Sequence, residues 1–225
     1  MAEQISVIGT VILMMVVDFK KMAVEFRRHF GLASGQAFPA LSIAENKLCE
    51  ADGQFEFSII PDSEWGHKDS VQAYYRHSES HHEIAIKESV YHKARGGDRE
   101  ALVSIAHEIS HWGLINHFNL KLGVTEANVL DPVLESILIR IHENMADLLT
   151  TLFLFSEEEL LNAHCAGDLD YGSCMSEGQI SLALFYYKNH KVLAENFERN
   201  ILPRIEAHQN KKEGNATKKL PSNWR

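Results

Sequence analysis

The sequence predicts an α+β fold: a small, mainly antiparallel sheet packed on one long helix, followed by a mostly helical second half. Three observations predict it. Phe55, Phe57 and Ile59 alternate with polar neighbours, as do Ile84 and Ile86, at the period of half-buried strands. A capped amphipathic segment begins at Asp98, and from Asp131 onward apolar residues recur at helical spacing. The composition is that of a globular chain, with 225 residues, 45% hydrophobic and 24% charged, which favours one domain with small appendages over two full ones.

The elements follow in order. Ile5 to Val17 is a run of 13 residues without a charge. It falls short of the roughly 20 residues a membrane span needs. Glu3 precedes it, Asp18-Phe19-Lys20-Lys21 follows, and no small-residue cleavage site is present, so a buried element rather than an anchor or export signal is expected. Asp18 caps a helix through Phe19, Met22, Ala23, Phe26 and Phe30, ended by Gly31. Pro39 opens a second helix through Leu41, Ala44 and Leu48, stopped by Asp52-Gly53. The first strand ends at Pro61, a second is expected over Val71 to Tyr75 and a third within His82 to Val90.

Gly96-Gly97-Asp98 then breaks the chain and caps a helix carrying Leu102, Ile105, Ile109 and Trp112. Asp131-Pro132 opens a longer helix running past Leu152, and two capping boxes, Ser156 with Glu159 and Ser176 with Gln179, open further ones. The expected organisation is a hydrophobic extension over 1–18, the main domain over 19–160, a helical extension packed on it over 161–205 and a polar, flexible tail over 206–225.

Charge and cysteines bound the function. Lys and Arg number 22 against 31 Asp and Glu, a net charge of −9, which excludes a protein that holds nucleic acid mainly through its phosphates. Cys49, Cys165 and Cys174 leave an odd cysteine and no framework, so a reducing, cytoplasmic setting is expected. Cys165 and Cys174, even with His164, match no familiar zinc spacing.

The chain has thirteen histidines, but the motif carries more than the count. His107-Glu108-Ile109-Ser110-His111 is an HExxH inside the helix capped by Asp98. Positions i and i+4 share one helix face, so both imidazoles can reach one Zn²⁺. Glu108 lies beside the metal and can take a proton from a water on it. A third protein ligand is required, with one position left open for chemistry.

Two residues compete for that role. Glu143, in Glu143-Asn144-Met145-Ala146-Asp147, lies on the long helix, with Ala146 small enough to let a partner helix approach. Asp147, one turn on, could receive the far N–H of a ligand histidine and fix its tautomer. His117 stands at the distance from His111 of the third metzincin histidine, although the glycine of that turn is one place early, at Gly113.

On these residues the chain resembles the ImmA/IrrE-like zinc metallopeptidases. The matching stretches are the strand Glu83-Ile84-Ala85-Ile86, Arg99, the helix Ser104-Ile105-Ala106-His107-Glu108-Ile109-Ser110-His111, and Glu143-Asn144-Met145-Ala146-Asp147 with the apolar residues after it. Ala23 to Ile60 also looks like the family's opening of helix, short helix and hydrophobic strand, so the resemblance covers roughly residues 20 to 160, with Ser110 in place of a usual glycine and Ser156 where a proline often ends the second motif. The resemblance implies a zincin-like fold of gluzincin type, with His107, His111 and Glu143 as zinc ligands and Glu108 as general base. It implies a cytoplasmic endopeptidase cutting a regulatory protein, a helix-turn-helix transcriptional repressor in that family. A basic substrate of this kind is compatible with the charge of −9.

Two other readings stay open: a catalytically silent zincin-like fold that binds a repressor or toxin, and a metzincin-like protease using His117. A donor for the developing oxyanion is also needed, and His142, His164, Tyr171, Tyr91 and Tyr186 are candidates. His77, His81 and His82 precede the strand that would edge the cleft.

Overall fold

The computed structural model describes residues 18–33, 36–68, 70–78, 81–120 and 132–155, with residues 182–186, 188, 189, 192, 195 and 199. Helix α1 is Phe19–His29, and Asp18 caps it as expected, its carboxylate accepting the Lys21 N–H at 2.9 Å. Gly31, at φ +72°, takes the left-handed conformation that ends it. Helix α2 comprises Ala40–Ser42, a π-helical turn Ile43–Lys47 and Leu48–Ala51. Strand β1 is Phe55–Ile60, β2 is Ala73–His77 and β3 is His82–Lys87. Then come α3, Glu88–Arg95, α4, Arg99–Trp112, extended by a π-helical turn Gly113–His117, and α5, Pro132–Leu154.

The architecture is α+β, but the sheet is mixed rather than mainly antiparallel. Its order is β1-β3-β2, with β3 parallel to β1 and antiparallel to β2. The cause is insertion: β3 enters between two strands that precede it, so the chain arrives beside β1 in the same direction. As the central strand, β3 buries Ile84, Ala85 and Ile86 completely. The third strand lies within the expected His82 to Val90, ending at Lys87, and α3 follows. Asp62, in a 3-10 turn far along the chain, accepts the Ser89 N–H at 2.9 Å and satisfies the start of that helix. Val90 and Ala94, one turn apart, bury its inner face.

Gly97 adopts φ +83° between α3 and α4, and the Asp98 carboxylate accepts the Ala101 N–H at 3.0 Å, so the break and cap expected there are both present. Helix α4 packs on β2, α3 and α5, while α1 packs on α5. Arg27 of α1 clasps the pieces together, donating to the Phe153 carbonyl at 2.5 Å and to the carbonyls of Ala33 and Gln36. Tyr186 is fully buried with its ring edge-on to Phe19, and its hydroxyl accepts the Lys20 N–H at 3.1 Å.

A polar knot lies beneath the sheet. The Asp52 carboxylate meets His82 Nδ1 at 2.6 Å, the Trp112 indole N–H at 3.2 Å and the Gln54 N–H at 3.0 Å, joining the end of α2, β3 and the end of α4. Burial raises the Asp52 carboxyl, but these donors outweigh it and hold the group below its ordinary 3.8.

No helix among the described residues is long and apolar enough to cross a membrane. The apolar run 5–17, both later capping boxes, Cys165, Cys174 and the tail 206–225 lie outside the described residues.

Two stability predictions follow from this packing. A Cβ on Gly113 would sit 2.7 Å from the Phe26 ring, which is itself fully buried. Gly113→Ala should therefore lose about 1–3 kcal/mol in denaturant unfolding, despite alanine's better helix propensity. Asp52→Asn should lose about 2 kcal/mol near neutral pH. Because the Asp52 pKa is depressed, its contribution is full above 3.8 and disappears as pH falls through the lower folded value. The gap between variant and wild-type melting curves should therefore narrow as pH falls below 3.8.

Candidate metal centre

Helix α4 presents His107 and His111 on one face, one turn apart, as the HExxH spacing requires. Its other face, Ile105, Ala106 and Ile109, is fully buried. Helix α5 packs along the Ala106–Ser110 side of α4, between that face and the histidines, with Ala146 and Leu149 fully buried and small residues at Ala106 and Ala146 letting the backbones approach. Inside the crossing, Ser110 Oγ donates to the Ala106 carbonyl at 2.9 Å and meets Thr150 Oγ1 at 2.6 Å. Ser110 thus forms a buried hydroxyl bridge to α5.

The crossing sets Glu143 over the two histidines. Its Oε2 lies 3.2 Å from His107 Nε2 and 3.4 Å from His111 Nε2, and the two nitrogens are 2.9 Å apart. One ligand atom from each residue lies within 4.8 Å of the other two. Donors about 2.0–2.1 Å from a tetrahedral Zn²⁺ stand about 3.3 Å from one another, so the set fits that ion in spacing and in chemistry. Two imidazoles and one carboxylate leave one of four positions open.

Asp147 Oδ1 lies 2.9 Å from His107 Nδ1, on the side of the ring away from Glu143. An ionised carboxylate only accepts, so His107 gives its Nδ1–H to Asp147, and a cation taking the place of the Nε2 proton would meet the Nε2 lone pair. Burial works against charge on His107, but the hydrogen bonds to Asp147 and Glu143 prevail and raise its pKa to about 10. Burial likewise raises Glu143, but hydrogen bonds from His107 and His111 hold it well below the carboxylate range. Glu108 differs: burial raises its pKa against the pull of His111 and His107, while the Tyr75 backbone N–H binds it.

A groove of about 360 Å³ opens beside His107. Gln72 and Ala73 line it from the sheet side, Ser104 and Glu108 from α4, and Asp147 and Thr150 from α5. Glu108 therefore has a solvent-connected face although its side chain is nearly buried.

The remaining candidates lie elsewhere. His117 is drawn to α1, its Nε2 3.9 Å from Glu25 and its ring 4.5 Å from that of His29, and it is not part of the converging group. Tyr91 donates to Glu45 at 2.8 Å, and Tyr186 caps α1. His82 belongs to the Asp52 knot, His77 packs against Tyr75 and His82, and His81 lies 3.7 Å from Glu56. His164 and Tyr171 are outside the described residues.

Two neighbours of the site were not assigned these places from the sequence. Tyr75 lies with its ring plane 3° from that of His111, its hydroxyl accepting from Asn116 at 2.7 Å. His142 places Nδ1 3.0 Å from His111 Nδ1. The signal for Tyr75 was the edge of a strand beside the motif, and for His142 it was adjacency to Glu143.

Compared with known proteins, the chain matches no family model, no curated protein and no solved structure.

Purified protein should bind one Zn²⁺ per chain by elemental analysis. Glu143→Ala and His107→Ala should each reduce the content to near zero, with His117→Ala unchanged. Metal retained by Glu143→Ala and lost by His117→Ala would reverse the ligand assignment.

Proposed function

We propose that this chain is a zinc-dependent endopeptidase, zincin-like and akin to the ImmA/IrrE-like metallopeptidases, acting in the cytoplasm on a regulatory protein. The observation that carries the reading is Glu143 Oε2 standing within 3.4 Å of both HExxH imidazoles. His107, His111 and Glu143 would hold the ion, and Asp147 orients His107 from behind. When bound, Zn²⁺ supplies Lewis acidity that acidifies a water and polarises a carbonyl.

The chain's own groups do the rest. Burial lifts the Glu108 carboxyl toward the range where a base can both take and return a proton. Glu108 accepts a proton from the attacking water on a side-chain oxygen, then delivers it to the departing amine as the peptide C–N bond breaks. The Tyr75 N–H holds that carboxylate in place.

The groove opens at the start of β2, an edge strand packed on α4, so an extended peptide pairing with that edge would be led toward His107. The overall charge of −9 favours encounter with a basic substrate, such as a helix-turn-helix repressor.

The decisive variant is Glu108→Gln, assayed with a panel of basic helix-turn-helix repressors. It should keep its zinc and lose at least about 10²-fold in cleavage rate. Undiminished cleavage would remove Glu108 from the mechanism. Repressor binding that survives in both proteins, without cleavage by either, would instead establish a silent zincin-like binder.

A further inference from the structure

The two histidines of the proposed centre are backed by different partners. His107 has a carboxylate behind it, Asp147 at 2.9 Å from Nδ1. His111 has another imidazole, with His142 Nδ1 at 3.0 Å from its own Nδ1 and the ring planes 20° apart. Between two facing ring nitrogens only one can carry the proton.

The direction follows from what His111 does on its other side. Its Nε2 is 2.9 Å from His107 Nε2 and 3.4 Å from Glu143 Oε2, in the ligand group. A neutral imidazole that offers a lone pair at Nε2 must carry its proton at Nδ1. His111 Nδ1–H is then the donor and His142 Nδ1 the acceptor. A neutral His142 in turn keeps its own proton on Nε2, and that atom is buried with no hydrogen-bond partner among the described residues. The reverse assignment, His142 donating, would move the His111 proton onto Nε2 and remove the lone pair aimed at the cluster.

We propose that His142 is a positioning residue for the metal centre, accepting the His111 Nδ1–H on its own Nδ1 and so locking the tautomer that presents Nε2. This rests on reading His107, His111 and Glu143 as the metal site. It makes the two imidazole ligands unequal: an anion behind His107 strengthens it as a donor, and a neutral ring behind His111 does so less. One helix, α5, supplies the ligand Glu143 and both backing groups, His142 and Asp147.

Two variants separate an acceptor role from simple packing. Asn places its side-chain oxygen near the position of His Nδ1, whereas Leu has the same branching and no acceptor. In chelator competition, His142→Leu should bind Zn²⁺ about 10–100-fold more weakly than wild type, with His142→Asn recovering most of the loss. The visible bands of bound Co²⁺ should change in His142→Leu and return in His142→Asn. Should His142→Leu fail to fold, ¹⁵N NMR of zinc-loaded wild type decides without a variant. It is expected to find the protons on His111 Nδ1 and His142 Nε2, and a proton on His142 Nδ1 overturns the inference. Equal affinities of wild type and a folded His142→Leu also overturn it while leaving the metal site intact. Failure of the wild type to bind zinc overturns the site and the inference together.

Discussion

Everything at this site depends on the register in which α5 crosses α4. HExxH alone supplies two imidazoles on one face and nothing to close the group. The third atom arrives because Ala106 and Ala146, both fully buried, let the helices approach. The Ser110–Thr150 hydroxyl pair, 2.6 Å apart in the crossing, then makes other registers costly by leaving polar groups unpaired. Sliding α5 by one turn, about 5.4 Å, would move Glu143 out of reach of both rings. The same register fixes His142 and Asp147, because side chains on one rigid helix move together.

That arrangement crowds three carboxyl groups and three imidazoles, and the charges divide by environment. Glu143 is half exposed and held ionised by two imidazoles, whereas Glu108 is nearly buried and pushed toward its neutral form. Two acids within one cluster are thereby drawn apart in character, one suited to bind a cation and the other to exchange protons. The sheet contributes through β2, whose Tyr75 reaches both Glu108, by its backbone N–H, and the His111 ring, by its side chain. The edge strand is therefore structurally bound to the site it borders.

Local signals in the sequence were enough for the helices that position the motif. The caps at Asp18 and Asp98, the glycine that ends α1 at 31 and the chain break at 96–98 are short-range chemistry, and each is found where it was read. The sheet's direction was not legible, because parallel or antiparallel pairing depends on which strand inserts between which. Helix α3 was hidden for a similar reason: its first turn is satisfied by Asp62, 27 residues from Ser89. Within the site, the convergence of Glu143 and the backing role of Asp147 follow helical periodicity and could be anticipated. The Nδ1 contact of His142 could not, since it requires knowing the crossing register to within a fraction of a turn.

The fate of His117 illustrates why the third member of the converging group comes from another helix. For His117 to return to His107 and His111 the chain must turn back soon after His111, and a glycine near that point invites such a turn. Gly113 is instead helical, at φ −59°, and the chain continues in a π-helical turn closed by the Phe118 N–H on the Gly113 carbonyl at 2.9 Å. The missing Cβ serves packing: the Phe26 ring of α1 occupies that space, 2.7 Å from where the carbon would be. Continued helix carries His117 about 9 Å along the axis from His111. There it meets Glu25 and His29 of α1 instead of the cluster. The glycine that looks like a hinge is thus committed to holding α1 against the end of α4, and closure of the group falls to Glu143.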